Sequence, residues 1–460
     1  MPAPGPDVLD RIVKAYDIRG LVDVELDAEV ARALGVAVAT ALVEDGQGVV
    51  VGRDMRPSSP VLEDAFVDGV TSRGVDVIDL GLASTDLVTY ASGELGLPSA
   101  MFTASHNPSA YNGIKLTRAH AVPVSISSGL GTVRDVAADV LSGSGVALDP
   151  PTRRGTRTHL DLLGRFASHV RSFVDLDVLT EVSVAVDAGN GMAGYVWPAV
   201  VAGTPIVTEP LYFELDGTFP NHPANPLDSA NLRDLQAAVR AGGHALGLAF
   251  DGDADRVFAV DENGRVVASS LIGAVVADRL LQRDPGATVL YNLVCSRTVP
   301  ETIEAAGGLA VRTRVGHSFI KERMAQTGAI YAVEHSGHHY FRDNHRADSG
   351  VITALVLLEA VADAGVPLSE VVAPYDRYAA SGEHDIEVAD TAAALDHVRS
   401  HFSGRGPVDE EDGLLIDTGA GWFSLRPSNT EAVLRLNVEA DDDAAVARLL
   451  AEVREVAHRT

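Results

Sequence analysis

The sequence predicts an α/β protein of several domains. Its 460 residues exceed what one hydrophobic core usually serves, which favours three or four units of about 100 to 150 residues each. Apolar residues make up 46% of the chain and aromatic residues only 5%, as in ordinary globular α/β proteins. Helical and strand patterns alternate along the first hundred residues, which favours a parallel, layered sheet.

The first elements follow from periodicity and punctuation. Residues 28–43 place apolar side chains at helical spacing, and Gly46 follows as a stop. The run VVVG at 49–52 predicts a buried strand. Ser59 and the proline after it begin a second helix, and VDVIDLG after Gly74 predicts another strand. A Gly-, Pro- and Ser-rich linker is predicted at 141–157, and a second hinge near 365–382.

Charge and composition exclude several classes of protein. The formal net charge of -28, from 36 basic and 64 acidic residues, opposes general attraction to nucleic acid or to an anionic membrane. No run of about 18 uncharged apolar residues is present, and the first residues lack the layout of a signal peptide. Because Cys295 is the one cysteine, no internal disulfide can form. We therefore expect a cytoplasmic protein.

A candidate nucleophile lies in the segment FTASHNP at 102–108. A serine hydroxyl is inert until a base or metal activates it, and this loop joins Ser105 to a histidine. A capped turn explains the same residues equally well. Lys115, in the following YNGIKL, is close enough in sequence to neutralise a phosphate or to move a proton in the same pocket.

The segment DGDADR at 251–256 predicts a metal site. Asp251, Asp253 and Asp255 follow an apolar strand and would repel one another unless a cation neutralised them. Their hard oxygen ligands favour magnesium or calcium over a merely solvated acidic turn. An EF-hand is excluded because Arg256 stands where that loop needs glycine, and because VFAV after it predicts a strand.

A glycine-rich turn supports an alternative of another class. Gly189, Gly191 and Gly194 match G-x-G-x-x-G after a strand, and Glu209 lies 20 residues beyond Gly189. A nicotinamide-dependent enzyme would use these residues. That interpretation leaves the serine loop and the aspartates unexplained.

Two further loops carry polar side chains. In EHSGHH at 334–339 zinc is disfavoured, because the three histidines cannot all face one way and no cysteine is near. Sugar recognition is the better interpretation, with a polar surface turn as the alternative. RPSNTE at 426–431 offers a guanidinium, hydroxyls and an amide, a set that binds phosphate dianions or simply makes a turn. Together with the serine and metal loops, they predict a phosphorylated polyol as substrate.

The sequence closely resembles the α-D-phosphohexomutases, most nearly the bacterial phosphomannomutase/phosphoglucomutase branch. The resemblance rests on motifs that occur in the family's order: KAYDIRG (14–20), TASHNP (103–108), YNGIKL (111–116), DGDADR (251–256), TRVGHSFIK (313–321), EHSGH (334–338) and RPSNTE (426–431). It implies four domains around a central cleft, the first three of similar mixed α/β sheet design and the fourth a smaller α+β domain. We place them at 1–150, 151–256, 257–370 and 371–460.

The resemblance also implies roles for individual residues. Ser105 is expected to be phosphorylated and to hold one Mg²⁺ per chain through its phosphate, with Asp251, Asp253 and Asp255 as the other ligands and Arg256 nearby. Arg19, His106 and Lys115 are expected around the transfer site. Sugar contacts are expected from Arg314, His317, Glu334, Ser336 and His338, and contacts to the distal phosphate from Arg426, Ser428, Asn429 and Thr430. Ala432 departs from the family's pattern, where proline is common.

The expected activity is that of a phosphomannomutase, which interconverts mannose 6-phosphate and mannose 1-phosphate and also acts on glucose phosphates. Ser105 would exchange its phosphoryl group with the sugar through a hexose 1,6-bisphosphate, and Lys115 would handle the proton of the accepting hydroxyl. A phosphoglucosamine mutase is the alternative within the family, and a metal-dependent phosphatase the alternative outside it. We expect a monomer or weak dimer, with no nucleic-acid or membrane partner.

Overall fold

The computed structural model describes residues 7–44, 46–143, 152–179, 181–427 and 433–458. Its contacts divide the chain into two compact units. The first unit holds the chain up to Val267 together with Ser336–Ser369. The second unit holds Ala268–His335 and the chain from Glu370 onward. Among the described residues, no helix is both long enough and apolar enough to cross a membrane.

The first sheet confirms the helices and strands predicted between residues 28 and 82. Strands run in the order β1-β5-β4-β2-β3-β7, with β6 beside β5; β2, β3, β4 and β7 are parallel, and β5 is antiparallel to β1 and β4. The elements are α1 Val8–Ile12, β1 Ile18–Leu21, α2 Ala28–Ala41, β2 Val49–Arg53, α3 Ser59–Ser72, β3 Val77–Leu82, α4 Thr85–Leu95, β4 Ser99–Phe102, β5 Tyr111–Arg118, β6 Val122–Pro123, α5 Gly131–Ser142 and β7 Arg157–His159.

Capping and apolar packing explain this layer. The Asp27 side chain accepts the backbone N–H of Val30 and begins α2. Buried apolar side chains of α2, α3 and α5 then cover one face of the sheet. At its centre the rings of Phe66 and Phe102 meet edge to face, 5.3 Å apart. The sheet therefore holds the end of β4, and the loop that follows it, in one place.

The second sheet runs in the order β12-β11-β10-β8-β9, with β8, β9 and β10 parallel and β11 and β12 antiparallel. Every residue of β10 is buried, as expected of a strand covered on both faces. The elements are α6 Leu163–Arg171, β8 Val182–Asp187, α7 Ala193–Val201, β9 Ile206–Leu211, α8 Arg233–Gly242, β10 Leu246–Phe250, β11 Val257–Asp261 and β12 Val266–Val267. The strand predicted at VFAV is confirmed.

The third region divides between the units. In the second unit β13, β14 and β15 form a parallel sheet in the order β14-β13-β15. In the first unit β16 and β17 form an antiparallel hairpin, and α12 follows it. The elements are α9 Ser269–Arg283, β13 Thr288–Asn292, α10 Thr298–Ala305, β14 Leu309–Thr313, α11 His317–Thr327, β15 Tyr331–Val333, β16 His339–Phe341, β17 Ala347–Asp348, α12 Gly350–Ala364 and α13 Leu368–Val372.

The last region is antiparallel. Its sheet runs in the order β18-β22-β21-β20-β19, and α14 and α15 pack against it around a core that includes Phe402, Phe423 and Val453. Leu415 and Trp422 pack against Leu293 of the same unit. The elements are β18 Ala379–Glu387, α14 Thr391–His401, β19 Val408–Asp409, β20 Leu414–Asp417, β21 Gly421–Pro427, β22 Val433–Ala440 and α15 Asp443–Ala457.

Two of the sheets continue past the domain boundaries predicted from the sequence. Strand β7 at Arg157–His159 pairs with β3, so the first sheet includes a strand beyond residue 150. Strands β11 and β12 continue the second sheet beyond residue 256. The signals for the two boundaries were local: a Gly/Pro-rich stretch and the end of a motif. Neither reports which sheet the next strand joins.

Candidate active site

The serine loop connects β4 to β5 and holds Ser105 in an unusual backbone conformation. Ser105 has φ +49°, in the left-handed region that few residues other than glycine adopt. Its N–H donates to the Thr103 hydroxyl at 2.9 Å, and the N–H of Asn107 donates to the carbonyl of Ala104 at 2.9 Å. With Ser105 only 5% exposed, these bonds hold a buried hydroxyl in a fixed direction.

The metal loop follows β10, and the two loops meet at a hydrogen bond. Ser105 Oγ donates to Asp251 Oδ2 at 2.8 Å. Asp251, Asp253 and Asp255 are all buried, and they offer carboxylate oxygens within 4.8 Å of one another. Within the part of the chain that the structure describes, Asp253 Oδ1 and Asp255 Oδ1 accept no hydrogen bond although they are buried. Buried oxygens of this kind suit a divalent cation with hard oxygen ligands.

Cationic side chains occupy the remaining carboxylate oxygens. Lys115 Nζ lies 2.7 Å from Asp253 Oδ2 and 2.7 Å from Asp255 Oδ2. Arg256 Nε donates to Asp251 Oδ2 at 2.9 Å. The cluster of three carboxylates is thus partly neutralised by the protein itself, and its two unpaired oxygens stay available.

Burial and charge set the protonation of this cluster. Burial raises the pKa of Asp251 to about 7, and the carboxylates of Asp255 and Asp253 act in the same direction against Arg256. Burial also favours protonated Asp253, but the ammonium of Lys115 and hydrogen bonds hold the pKa of Asp253 below its usual range. Burial opposes the charge of Lys115, yet Asp253 and Asp255 raise the pKa of Lys115 above its ordinary value.

Two residues beside Ser105 come from separate elements. Arg19 Nη1 donates to Asn107 Oδ1 in the serine loop at 2.8 Å, and Arg19 Nη2 pairs with Asp17 at 2.6 Å. His106 Nδ1 lies 2.6 Å from Arg256 Nη2 and accepts its proton in the neutral tautomer. Burial, together with Arg256 and Arg19, lowers the pKa of His106 to about 3, so the imidazole is neutral.

His338 adjoins the metal loop. Its backbone pairs with that of Arg256 in an isolated antiparallel bridge, and its Nδ1 lies 2.9 Å from Asp348 Oδ2. Burial opposes the charged imidazole, but the Asp348 carboxylate raises the pKa of His338 above its ordinary value. Ser336 is half-buried on the same segment, within the first unit.

The second unit holds the other predicted site residues. Glu334 Oε1 accepts the N–H of Gly316 at 3.1 Å, which brings Glu334 to the loop between Arg314 and His317. The Arg314 guanidinium lies 4.5 Å above the ring of Phe319. The structure therefore brings these predicted sugar-contacting residues together.

Arg426 belongs to the same unit and ends β21. Its guanidinium lies 3.5 Å from Glu383 and 3.8 Å from Asp412, and the Asp412 carboxylate also accepts the N–H of Val315 at 3.1 Å. Arg426 is thereby linked to the loop that carries Arg314. The other predicted phosphate contacts, Ser428, Asn429 and Thr430, lie outside the described residues.

The sequence did not predict two neighbours of the cluster. Thr85 begins α4 and donates its hydroxyl to Asp253 Oδ2 at 2.6 Å, across 168 residues of chain. Asp348 orients His338 through the hydrogen bond described above. Neither residue lies in a motif; each joins the site through tertiary structure alone.

The glycine-rich turn has a structural role. After β8 it packs on the metal loop, where Met192 N–H donates to the carbonyl of Gly252 at 2.9 Å. A Cβ on Gly191 would lie 2.7 Å from that carbonyl oxygen. Glu209 lies on β9 and pairs with His244. The turn supports the metal loop, so the motif is explained without a dinucleotide.

Four family models match consecutive parts of the chain. They are the phosphoglucomutase/phosphomannomutase alpha/beta/alpha domains I, II and III, at residues 10–129, 164–264 and 269–378, and the C-terminal domain of the same family at 383–456. The chain belongs to the phosphoglucomutase/phosphomannomutase family. Its four domains, three with mixed α/β sheets and one antiparallel, are those of a phosphohexomutase, an enzyme of the isomerase class that transfers a phosphoryl group within its substrate.

Similar proteins cover nearly the whole length. Phosphohexose mutases of Xanthomonas campestris pv. campestris are 39% identical over 436 residues, 94% of this chain and 96% of the relative. Phosphomannomutase of Escherichia coli K12 is 38% identical over 441 residues, 94% and 95% of the two chains. Phosphomannomutase/phosphoglucomutase of Pseudomonas putida is 34% identical over 454 residues, 96% and 94%.

Solved structures of the family share the fold. A phosphoglucomutase/phosphomannomutase family protein from Burkholderia thailandensis superposes with a TM-score of 0.86 at 30% identity, over 97% of this chain and 96% of that one. A phosphomannomutase from Thermus thermophilus, described as putative in its title, gives a TM-score of 0.81 at 23% identity, over 96% and 98%. The second likeness shows the fold alone.

Proposed function

We propose that this phosphohexomutase is a phosphomannomutase, which interconverts mannose 6-phosphate and mannose 1-phosphate and also accepts glucose phosphates. The relatives from Escherichia coli and Pseudomonas putida carry those activities in their names and support the choice of sugar. The proposal includes a cytoplasmic location and a monomer or weak dimer. Phosphoglucosamine mutase and metal-dependent phosphatase are the alternatives that the assay below separates.

The observation that carries the proposed mechanism is the hydrogen bond of 2.8 Å between Ser105 Oγ and Asp251. It places the candidate nucleophile against a cluster with two unpaired carboxylate oxygens. Asp251, Asp253 and Asp255, with the phosphate of phosphorylated Ser105, would hold one Mg²⁺. When bound, Mg²⁺ supplies positive charge that stabilises the phosphoryl group during transfer.

The chain's own residues bind and orient. In the proposed cycle, Ser105 Oγ gives its phosphoryl group to the free O1 or O6 hydroxyl of the bound hexose phosphate, which loses its proton and becomes a hexose 1,6-bisphosphate. The bisphosphate then turns end over end, and its other phosphoryl group returns to Ser105. Arg19 offsets the charge that develops at the transferred group.

The proton of the accepting hydroxyl was assigned to Lys115 from the sequence. Because the ammonium of Lys115 pairs with two carboxylates, the geometry favours its other predicted role, neutralisation of charge at the transfer site. His106 accepts from Arg256 through Nδ1, which orients its ring beside Ser105. The proton-accepting role of Lys115 stays a prediction.

The sugar and the distal phosphate are assigned to loops from both units. We assign sugar hydroxyls to Arg314, His317, Glu334, Ser336 and His338. Arg426, with Ser428, Asn429 and Thr430, would hold whichever phosphate lies away from Ser105, because a guanidinium binds phosphate in either orientation of the sugar. This division of labour requires the central cleft that the resemblance implies.

The test is conversion of mannose 1-phosphate to mannose 6-phosphate with Mg²⁺ and a trace of hexose 1,6-bisphosphate. Glucose 1-phosphate and glucosamine 1-phosphate are run in parallel while free phosphate is monitored. Isomer formation without phosphate release is expected. Sustained phosphate release without isomer would make the protein a phosphatase, and activity confined to glucosamine phosphate would make it a phosphoglucosamine mutase.

Ser105→Ala is expected to abolish conversion of every sugar, because no other residue is proposed to carry the phosphoryl group. Circular dichroism and thermal unfolding should match the unmodified enzyme. The matched control is Ser128→Ala, a serine of the same unit outside the site. More than a trace of turnover by the Ser105 variant would contradict the mechanism.

A further inference from the structure

A buried arginine lies beneath the serine loop. Arg56 follows β2, and its side chain is 0% exposed. Its Nε lies 3.1 Å from Asp54 Oδ2, and its backbone N–H donates to Asp54 Oδ1 at 3.0 Å. Asp54 also accepts the hydroxyl of Ser59 at 2.6 Å. A buried ion pair is stable only when its remaining donors find partners, so the other N–H groups of Arg56 decide what the pair is for.

Those N–H groups bind the backbone of the serine loop. Arg56 Nη2 donates to the carbonyls of Ser105 and Asn107 at 2.8 and 2.7 Å. Arg56 Nη1 donates to the carbonyls of Pro108 and Tyr111 at 2.9 and 3.0 Å. With the bond to Asp54, the five N–H donors of the guanidinium are all in use. One planar group thus holds the loop at four points, including the carbonyl of the candidate nucleophile.

A segment of the second sheet region closes the other side of this arginine. The Arg56 guanidinium lies 5.1 Å from the centre of the Phe219 ring, and a Cβ on Gly217 would lie 2.4 Å from Arg56 Cα. The N–H of Asp216 donates to the carbonyl of Asn190 at 3.0 Å, in the turn that supports the metal loop. Arg56 is therefore packed between the serine loop and a segment that is tied to the metal loop.

We propose that Arg56 is a positioning residue for phosphoryl transfer, which fixes the serine loop so that Ser105 Oγ stays directed at Asp251. The left-handed backbone of Ser105 persists only where its surroundings over-determine it, and the four carbonyl contacts supply that constraint. The proposal rests on Ser105 being the phosphoryl carrier, as proposed above. It goes further in naming the residue that sets the direction of the serine.

Arg56→Lys separates charge from shape. Lysine keeps the positive charge that Asp54 needs, but its ammonium has three donors in no fixed plane and cannot hold four carbonyls. Arg53→Lys is the matched control, because Arg53 lies on the same chain segment and pairs with Glu63 at 3.0 Å instead. Phe219→Leu is the second variant, because it keeps Arg56 and loosens only its cover.

The measurements are thermal unfolding, kcat and KM for mannose 1-phosphate, and phosphate released per sugar isomerised. For Arg56→Lys we expect kcat to fall about 10- to 100-fold, the range expected for a reacting group displaced by about 1 Å. We expect KM to stay within about twofold, since Arg56 is placed away from the sugar, and phosphate release per turnover to rise because a loose serine loop exposes phosphoserine to water. The control should keep all three values.

A merely structural role would lower the unfolding temperature of Arg56→Lys and leave kcat and phosphate release per turnover unchanged, and that result would overturn the proposal. If Arg56→Lys does not fold, Phe219→Leu decides: a smaller fall in kcat with the same rise in phosphate release is expected, and unchanged values would overturn it. Ser105→Ala is assayed beside them. Activity in that variant would overturn the proposed function itself, whereas an inactive Ser105 variant beside an unaffected Arg56→Lys would overturn only the role of Arg56.

Discussion

At the scale of single residues, the site is a set of charges that compensate one another over short distances. The letters DGDADR were enough to predict a metal site, because three clustered carboxylates have few other uses. They could not predict that Thr85 and Lys115 share the oxygens of Asp253. Those contacts join residues more than a hundred positions apart, and such pairings depend on how the sheets pack.

His222 and Asp187 make the stability of the first unit depend on pH. His222 Nε2 lies 2.9 Å from the buried carboxylate of Asp187. Burial opposes a charged imidazole, but Asp187 raises the pKa of His222 above its ordinary value. The stability that this pair contributes is therefore fully present below about pH 6.5, the ordinary pKa of histidine, and is lost as the pH rises through the raised pKa.

Asp187→Asn should accordingly lower the free energy of unfolding more at pH 6 than at pH 9. Hydrogen bonds to charged groups contribute about 1.5 to 3 kcal/mol, which sets the scale of the loss at pH 6. Urea unfolding at both pH values measures it. In a His222→Asn background the Asp187 substitution should cost the same at each pH, and a wild-type background that shows no pH dependence would contradict the assignment.

At the scale of elements, periodicity was a reliable guide and boundaries were not. The helix predicted at 28–43 is observed at Ala28–Ala41, because its apolar stripe is long and Asp27 caps it. Strand β7 could not be predicted, since its three residues are all exposed and carry no apolar pattern. The glycine-rich turn illustrates a motif whose spacing was read correctly and whose role was open, because the same turn can hold a ligand or another loop.

Gly191→Ala tests the role of that turn. Its new Cβ would lie 2.7 Å from the Gly252 carbonyl oxygen, so the metal loop must shift. We expect a several-fold rise in the Mg²⁺ concentration that gives half-maximal activity, together with a lower kcat. The control is Gly164→Ala on α6, where a Cβ meets nothing within 4 Å and activity should be retained. Unchanged Mg²⁺ dependence in the Gly191 variant would mean that the turn does not support the metal loop.

At the scale of the whole molecule, each compact unit holds one of the two tryptophans. Trp197 is buried in the first unit and Trp422 is 5% exposed in the second. The predicted metal ligands Asp251, Asp253 and Asp255 all belong to the first unit. A ligand that binds only the folded state stabilises it by about 2.7 kcal/mol at a hundred times its Kd, so Mg²⁺ should act on one unit selectively.

Fluorescence of single-tryptophan variants measures this selectivity. In Trp422→Phe, where Trp197 reports, Mg²⁺ should raise the unfolding midpoint. In Trp197→Phe, where Trp422 reports, the midpoint should move less. Equal shifts would mean that the units unfold together, and no shift at Trp197 would contradict a metal site in the first unit.

The metal loop's glycine has a consequence for how sequences of this kind are searched and altered. A Cβ on Gly252 would lie 2.4 Å from the carbonyl oxygen of Ser105, so the distance between the two loops is set by a side chain that is absent. Ala254, the other residue between the aspartates, is fully buried and has φ +63°. A search pattern written D-x-D-x-D would treat both positions as free. Libraries that randomise them would lose the contact between serine and metal loop while keeping every predicted ligand.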